Sequence, residues 1–181
     1  MMARVPLITD SERPDLEALV ARLKSARGGR LLNLYRALLN SPAFAAAWLD
    51  FNSTVRFSTT LDAPARELAI MRVAILNGAD YQLRIHGTRH AASAGVSAEQ
   101  VDALPDWRAA GIFSAQQRAV LAYADAMTSV ISVDAAVHDE LRAHFNSQQI
   151  VELTVLIGAY NMHTRVVRAL GIDAEPETLG G

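Results

Sequence analysis

The chain has 181 residues, 51% of them hydrophobic and 20% charged, with a formal net charge of −2. That length suits one domain with its own core, and the scattered basic residues, without a run or stripe, argue against a nucleic-acid partner. There is no cysteine, which excludes disulfides, thiolate nucleophiles and cysteine-ligated zinc.

The first fifteen residues carry Arg4, Pro6, Asp10 and Glu12 and lack the apolar stretch of a secretory signal. The longest apolar run, Val155 to Tyr160 with its flanks, is too short to span a bilayer. A cytoplasmic location without a membrane partner is therefore the expectation.

Helix signals dominate from there on, with no sustained apolar/polar alternation. Asp10 to Pro14 reads as a cap region, and Leu16, Leu19, Val20 and Leu23 recur at helical spacing up to about Ala26, before Gly28-Gly29. Helices are predicted near Leu31 to Leu39 and Ala43 to Val55, with Ser41-Pro42 between them. Asp62-Ala63-Pro64 opens a fourth helix running to Asn77-Gly78. A fifth spans Asp80 to Ala94 and stops at Gly95. Ser97 to Gln100 opens a short sixth, followed by Pro105. Ser114 to Thr128 and Val133 to Phe145 form a further pair. The last helix begins at Ser147 and ends at Gly171, leaving a loose tail, 173–181. The matching turns at Gly95 and Gly171 hint at a duplication. No segment reads as a linker, so a single domain over residues 1–181 is expected.

Two stretches are apolar nearly all the way round, Glu67 to Asn77 and Ile150 to Tyr160. Such helices are buried on several sides, and part of that burial is expected from another subunit, which makes a homo-oligomer the structural expectation.

The side chains that could carry chemistry concentrate on the fourth and fifth helices. Glu67 is a carboxylate at the start of the most apolar helix, where an unpaired charge is costly. It could simply sit at the positive end of the helix dipole, paired with Arg66 or Arg72. On the fifth helix Gln82, His86 and His90 fall at i, i+4 and i+8 on one stripe, with Tyr81 at the opening turn. Imidazole is the side chain best matched to proton transfer near neutral pH. His86 and His90 lack the third ligand and neighbouring glutamate of a zinc site, and Arg89 opposes a cation, so no metal is expected. His138 and His144 read as surface residues, and His163 as either a core histidine or a pocket residue, the former being favoured. Trp48, Phe51 and Phe57 read as core or pocket aromatics, core being the default.

Taken together, Arg66 to Ala74, Asn77 to His86, Ala94 to Ser97, and in the last helix Ala159 to Arg165 and Ala169 to Ile172 resemble the carboxymuconolactone decarboxylase family. Its superfamily includes alkylhydroperoxidase D. The resemblance covers about residues 30 to 172, after an N-terminal helix in 10–28. The family's peroxidase branch carries a glutamate, a Cys-x-x-Cys pair and a histidine. Glu67 and His86 match the first and last, while the cysteine positions fall on Ala79 and Gln82. Thiol peroxidase chemistry is therefore ruled out. The cysteine-free branch often reads Tyr-Glu-Trp, two residues, then His. Tyr81 and His86 match it, and Gln82 and Leu83 depart from it. The true lactone decarboxylases are similar at Leu83 to His86.

The resemblance implies an all-α, single-domain helical bundle of the alkylhydroperoxidase D type that assembles as a trimer or hexamer, a dimer also being compatible. It implies an acid/base lyase acting on a small lactone or organic acid, without cofactor. His86 would donate or shuttle the proton, Glu67 would orient it, and Tyr81 would complete the catalytic set. Gln82, His90 and Arg84 would hold the substrate. The alternative is a non-catalytic member whose degenerate site binds a small molecule or serves only assembly.

Overall fold

A computed structural model describes residues 3–173 and 175, and every regular element among them is helical. The chain divides into two compact units, residues 1–54 with 166–181, and residues 55–165.

The first unit holds a 3-10 turn at Pro14–Leu16, α1 (Glu17–Ser25), α2 (Asn33–Leu38), most of α3 (Pro42–Phe57) and the last turn of α10 (Ser147–Leu170). Val20 and Leu23 from α1 bury against Tyr35, Leu39, Ala45 and Leu49, as the periodicity of the first predicted helix requires.

The second unit is built around α4 (Ala63–Leu76). Asp62 caps it, its side chain accepting from the Ala65 N–H at 2.7 Å. α4 lies between two apolar clusters. Ile70 and Val73 face Val120, Leu141, Leu153, Leu156 and Ile157. Leu68 and Met71 face Ala91, Val96, Leu104, Trp107 and Leu121. Each fully buried side chain of this kind contributes about 1.5–3 kcal/mol. This explains the all-round apolar sequence without a second subunit, since α4 is enclosed by its own chain from Glu67 to Ala74. The other apolar helix differs. α10 buries Leu153, Leu156 and Ile157 but leaves Val151, Val155 and Met162 exposed at 61%, 41% and 39%.

The predicted fifth helix is interrupted. α5 (Asp80–Ile85) passes into a π-helical turn at His86–His90 before α6 (Ala91–Ser93). Residue spacing alone cannot show this, because a single wide turn leaves the apolar pattern on either side intact. Gly95, at φ 80°, ends the segment, and the Val96 N–H closes onto the Ala91 carbonyl at 2.9 Å. After α7 (Ala98–Ala103) and a 3-10 turn at Leu104–Asp106, α8 (Ala115–Asp125) likewise ends in a π turn, Ala126–Val130, where the sequence predicts helix to Thr128. Ile131 follows at φ 72°, and α9 (Ala135–Arg142) completes the set.

Arg72, buried on α4, donates to Asp125 on α8 at 2.5 Å and to the carbonyls of Leu104 and Pro105 at 2.9 and 3.1 Å. A buried guanidinium satisfied in this way pins α4, α8 and the 3-10 turn into one register. No helix among the described residues is long and apolar enough to cross a membrane. Phe51 and Phe57 are not core aromatics, being exposed at 42% and 66%. Both lie on α3, whose buried positions in its central turns are Leu49 and Asn52.

Candidate active site

Glu67 and His86 are 19 residues apart in sequence, yet His86 Nδ1 lies 2.6 Å from Glu67 Oε2, with both side chains buried. The turn at Asn77-Gly78, with Gly78 at φ 57°, reverses the chain so that α5 returns alongside α4. Leu68 and Met71 pack on Ala91 and Val96 and fix the approach. The ring orientation follows from the same contact. With Nδ1 donating to the carboxylate, Nε2 is directed towards the Tyr160 hydroxyl at 3.5 Å. Tyr160 meets the His86 ring edge-on, with centroids 5.5 Å apart.

Burial alone would raise the Glu67 pKa, but the hydrogen bond from His86 and the positive potentials of His86, Arg56 and His90 outweigh it. The net effect holds Glu67 below its ordinary value. It is therefore a carboxylate at neutral pH despite its apolar helix.

A pocket of about 200 Å³ opens against this pair. Its polar wall is Arg56, Arg66, Glu67, His90 and Ser93, and its apolar wall is Ala63, Phe57, Ile70, Ala94 and Leu156. His90 brings its ring centroid to 5.2 Å from that of His86. The pocket thus presents Glu67 and His90, while His86 stands behind Glu67 and exposes only 4% of its surface. The side chains of Tyr81, Gln82 and Arg84 lie outside the described residues. Among the described residues no three His, Asp or Glu side chains gather as metal ligands.

Sequence reasoning missed two groups here, while Phe57 takes the pocket place that was its second reading. Arg56 comes from the end of α3, and Tyr160 comes from α10, each remote from the Glu-to-His segment. No spacing rule links them to it. Arg66 was visible only as a neighbour of Glu67. His163 stacks on Tyr160, with centroids 5.7 Å apart and the rings within 9° of parallel.

The arrangement can hold, donate and accept a proton at the wall of a small pocket. A carboxylate fixed on an imidazole is a proton-transfer couple whose parts are already oriented. With no cysteine in the chain, the pair has no thiol to activate.

Comparison with known proteins agrees with this fold and segment. The family model for carboxymuconolactone decarboxylase matches residues 42–126. The chain is 33% identical over 129 residues to the uncharacterised protein YnjA of Escherichia coli K12, covering 71% of this chain and 68% of that one. Among solved structures, a peroxidase-related protein from Silicibacter sp. TM1040 superposes with a TM-score of 0.81 at 22% identity, over 98% of this chain and 94% of that one. The debrominase Bmp8 in complex with 2,3,4-tribromopyrrole gives a TM-score of 0.79 at 21% identity, over 97% and 93%. The all-helical chain, the Glu67 to His86 segment and these matches, with the likeness to an alkylhydroperoxidase D core from Ralstonia eutropha JMP134 at a TM-score of 0.79 and 17% identity over 98% of this chain and 94% of that one, together place the chain in the carboxymuconolactone decarboxylase family, with the alkylhydroperoxidase D-like fold and no cysteine.

Proposed function

We propose that this chain is a small acid/base enzyme of lyase type, acting on a lactone or organic acid without thiol chemistry or a cofactor. The observation that carries this reading is the 2.6 Å contact between His86 and Glu67 at the wall of an open pocket. In a decarboxylation, the breaking C–C bond leaves its electron pair on the substrate as an enolate, and a proton must then reach carbon. His86 acts as the proton reservoir, and Glu67 is the member of the pair in contact with the pocket. Tyr81 and Gln82 are assigned to the enolate oxygen. His90, on the same pocket wall, and Arg84 are assigned to the substrate.

The related folds include a debrominase and a peroxidase-related protein, so the scaffold hosts more than one chemistry. Absence of cysteine selects proton transfer over thiol redox here. The non-catalytic alternative finds less support, because a relic site would close over Glu67, whereas Glu67 lines an open pocket. The reading also includes self-association through the exposed face of α10.

The test is a thermal-shift screen against lactones, keto acids and aromatic acids, followed by turnover assays on the ligands found. Stabilisation and turnover in wild type, with turnover lost in His86→Ala, is the expected result. Undiminished turnover in that variant would overturn the mechanism.

A further inference from the structure

Two features of the pocket are not used by the proton-transfer pair. The first is its charge. Arg56 and Arg66 place two guanidinium groups in a wall that holds one carboxylate, Glu67, already engaged by His86. The second is the state of those arginines. Arg66 gives one N–H to the Leu61 carbonyl at 2.9 Å. Arg56 lies against the Phe57 ring, with its guanidinium carbon 5.2 Å from the centroid, and makes no ion pair or hydrogen bond among the described residues. Both side chains are half-buried. A structural arginine at this depth usually satisfies its planar fork with carboxylates or carbonyls, as Arg72 does here.

We infer that Arg56, supported by Arg66, forms an anion subsite that selects small carboxylates with an apolar body for the pocket beside Glu67. This rests on the acid/base reading of the Glu67–His86 pair and names the recognition element of that same site. The planar guanidinium matches a carboxylate through two parallel hydrogen bonds. Phe57, Ile70 and Leu156 supply the apolar wall. The volume, about 200 Å³, is below that of pockets for drug-sized ligands, which limits the occupant to a compact acid. Its position also gives the anion a chemical effect. Arg56 is one of the groups that holds Glu67 ionised. A carboxylate on Arg56 cancels that influence, so binding raises the proton affinity of Glu67 and lets it take the proton from His86 and pass it to the substrate carbon.

The experiment is calorimetric or thermal-shift titration of the full chain with benzoate and 2-oxobutyrate, each against its uncharged primary amide. Wild type is expected to bind at least one acid about tenfold more tightly than its amide, with affinity falling as salt rises. Arg56→Gln is expected to erase that preference while leaving amide binding unchanged, and Arg56→Lys to restore part of it. Glu67→Gln is expected to keep the preference, since that residue transfers the proton rather than binding the anion. Equal binding of acid and amide, binding of neither, or a preference that survives Arg56→Gln overturns the subsite. Loss of turnover in Glu67→Gln and His86→Ala is read separately, so the proton-transfer reading can stand when the subsite falls.

Discussion

At the scale of single residues, the behaviour of Glu67 follows from burial opposed by its partners. Removing His86 leaves a buried carboxylate whose main opposing interaction is gone. His86→Ala is therefore expected to cost about 3 kcal/mol of stability by urea denaturation. Turnover should fall by about 10² or more. The folding contribution has a definite sign. Glu67 is held below its ordinary 4.5 in the native state, so its stabilisation is complete above pH 4.5. That stabilisation is lost as pH drops through the lower native value. If an anion on Arg56 raises the basicity of Glu67, the acid limb of kcat will lie at higher pH than that of kcat/KM, because the first reports the bound enzyme and the second the free one. Coincident limbs would remove the coupling. Glu67 and His86 were legible in the sequence because a carboxylate in an apolar helix and an imidazole on a polar stripe are each conspicuous. Arg56 was not, because its place in the pocket comes from the end of α3, and nothing in an arginine near a helix terminus distinguishes a pocket cation from a solvated one.

At the scale of elements, the helices were readable from caps and periodicity, and their ends agree with the glycines and prolines that mark them. The π turns were not. Ile131 closes the second of them, its N–H bonding to the Ala126 carbonyl at 2.9 Å, and pays for that closure with a φ of 72°. A β-branched residue in this region is strained, and its side chain is 84% exposed, so little packing offsets the strain. Ile131→Gly is expected to stabilise the fold by about 1 kcal/mol, measured as a rise in Tm. A fall in Tm would mean the side chain packs against something beyond the single chain. On α10, Val151 and Val155 form an exposed apolar pair one turn apart. Val155→Glu is expected to weaken self-association, read as a smaller mass by light scattering, without lowering helicity. An unchanged mass would place any assembly elsewhere. The apolar sequence of α4 showed its burial but not its source, since periodicity counts faces and does not say which chain covers them.

At the scale of the whole molecule, two acids set the low-pH limit. Slight burial would raise Glu152, but Gln148, Thr59 and Thr60 donate to it and lower it to about 2. The bonds from Thr59 and Thr60, at 2.7 to 2.9 Å, fasten the loop between α3 and α4 to α10. Together with Glu67, this predicts a Tm that stays level down to about pH 4.5, the ordinary value for both acids, and then declines towards pH 2. A Tm that begins to fall well above that range would assign acid sensitivity to other groups. The absence of cysteine predicts that thiol-selective reagents such as methyl methanethiosulfonate leave any turnover unaffected. Peroxide with a thiol reductant should be consumed no faster than in a protein-free blank, and faster consumption would contradict this.

The π turn at His86–His90 also bears on ancestry. Such a turn arises when a helix accepts one extra residue without unravelling on either side. Loss of one codon, Thr88 for example, would return the segment to a regular helix without turning α5 against α6, because the wide turn already absorbs the roughly 100° that one residue adds. Only the facing of residues inside the turn, His86 and His90 among them, would change. The pairing that defines this site thus hangs on one residue of chain length that neither flanking helix registers.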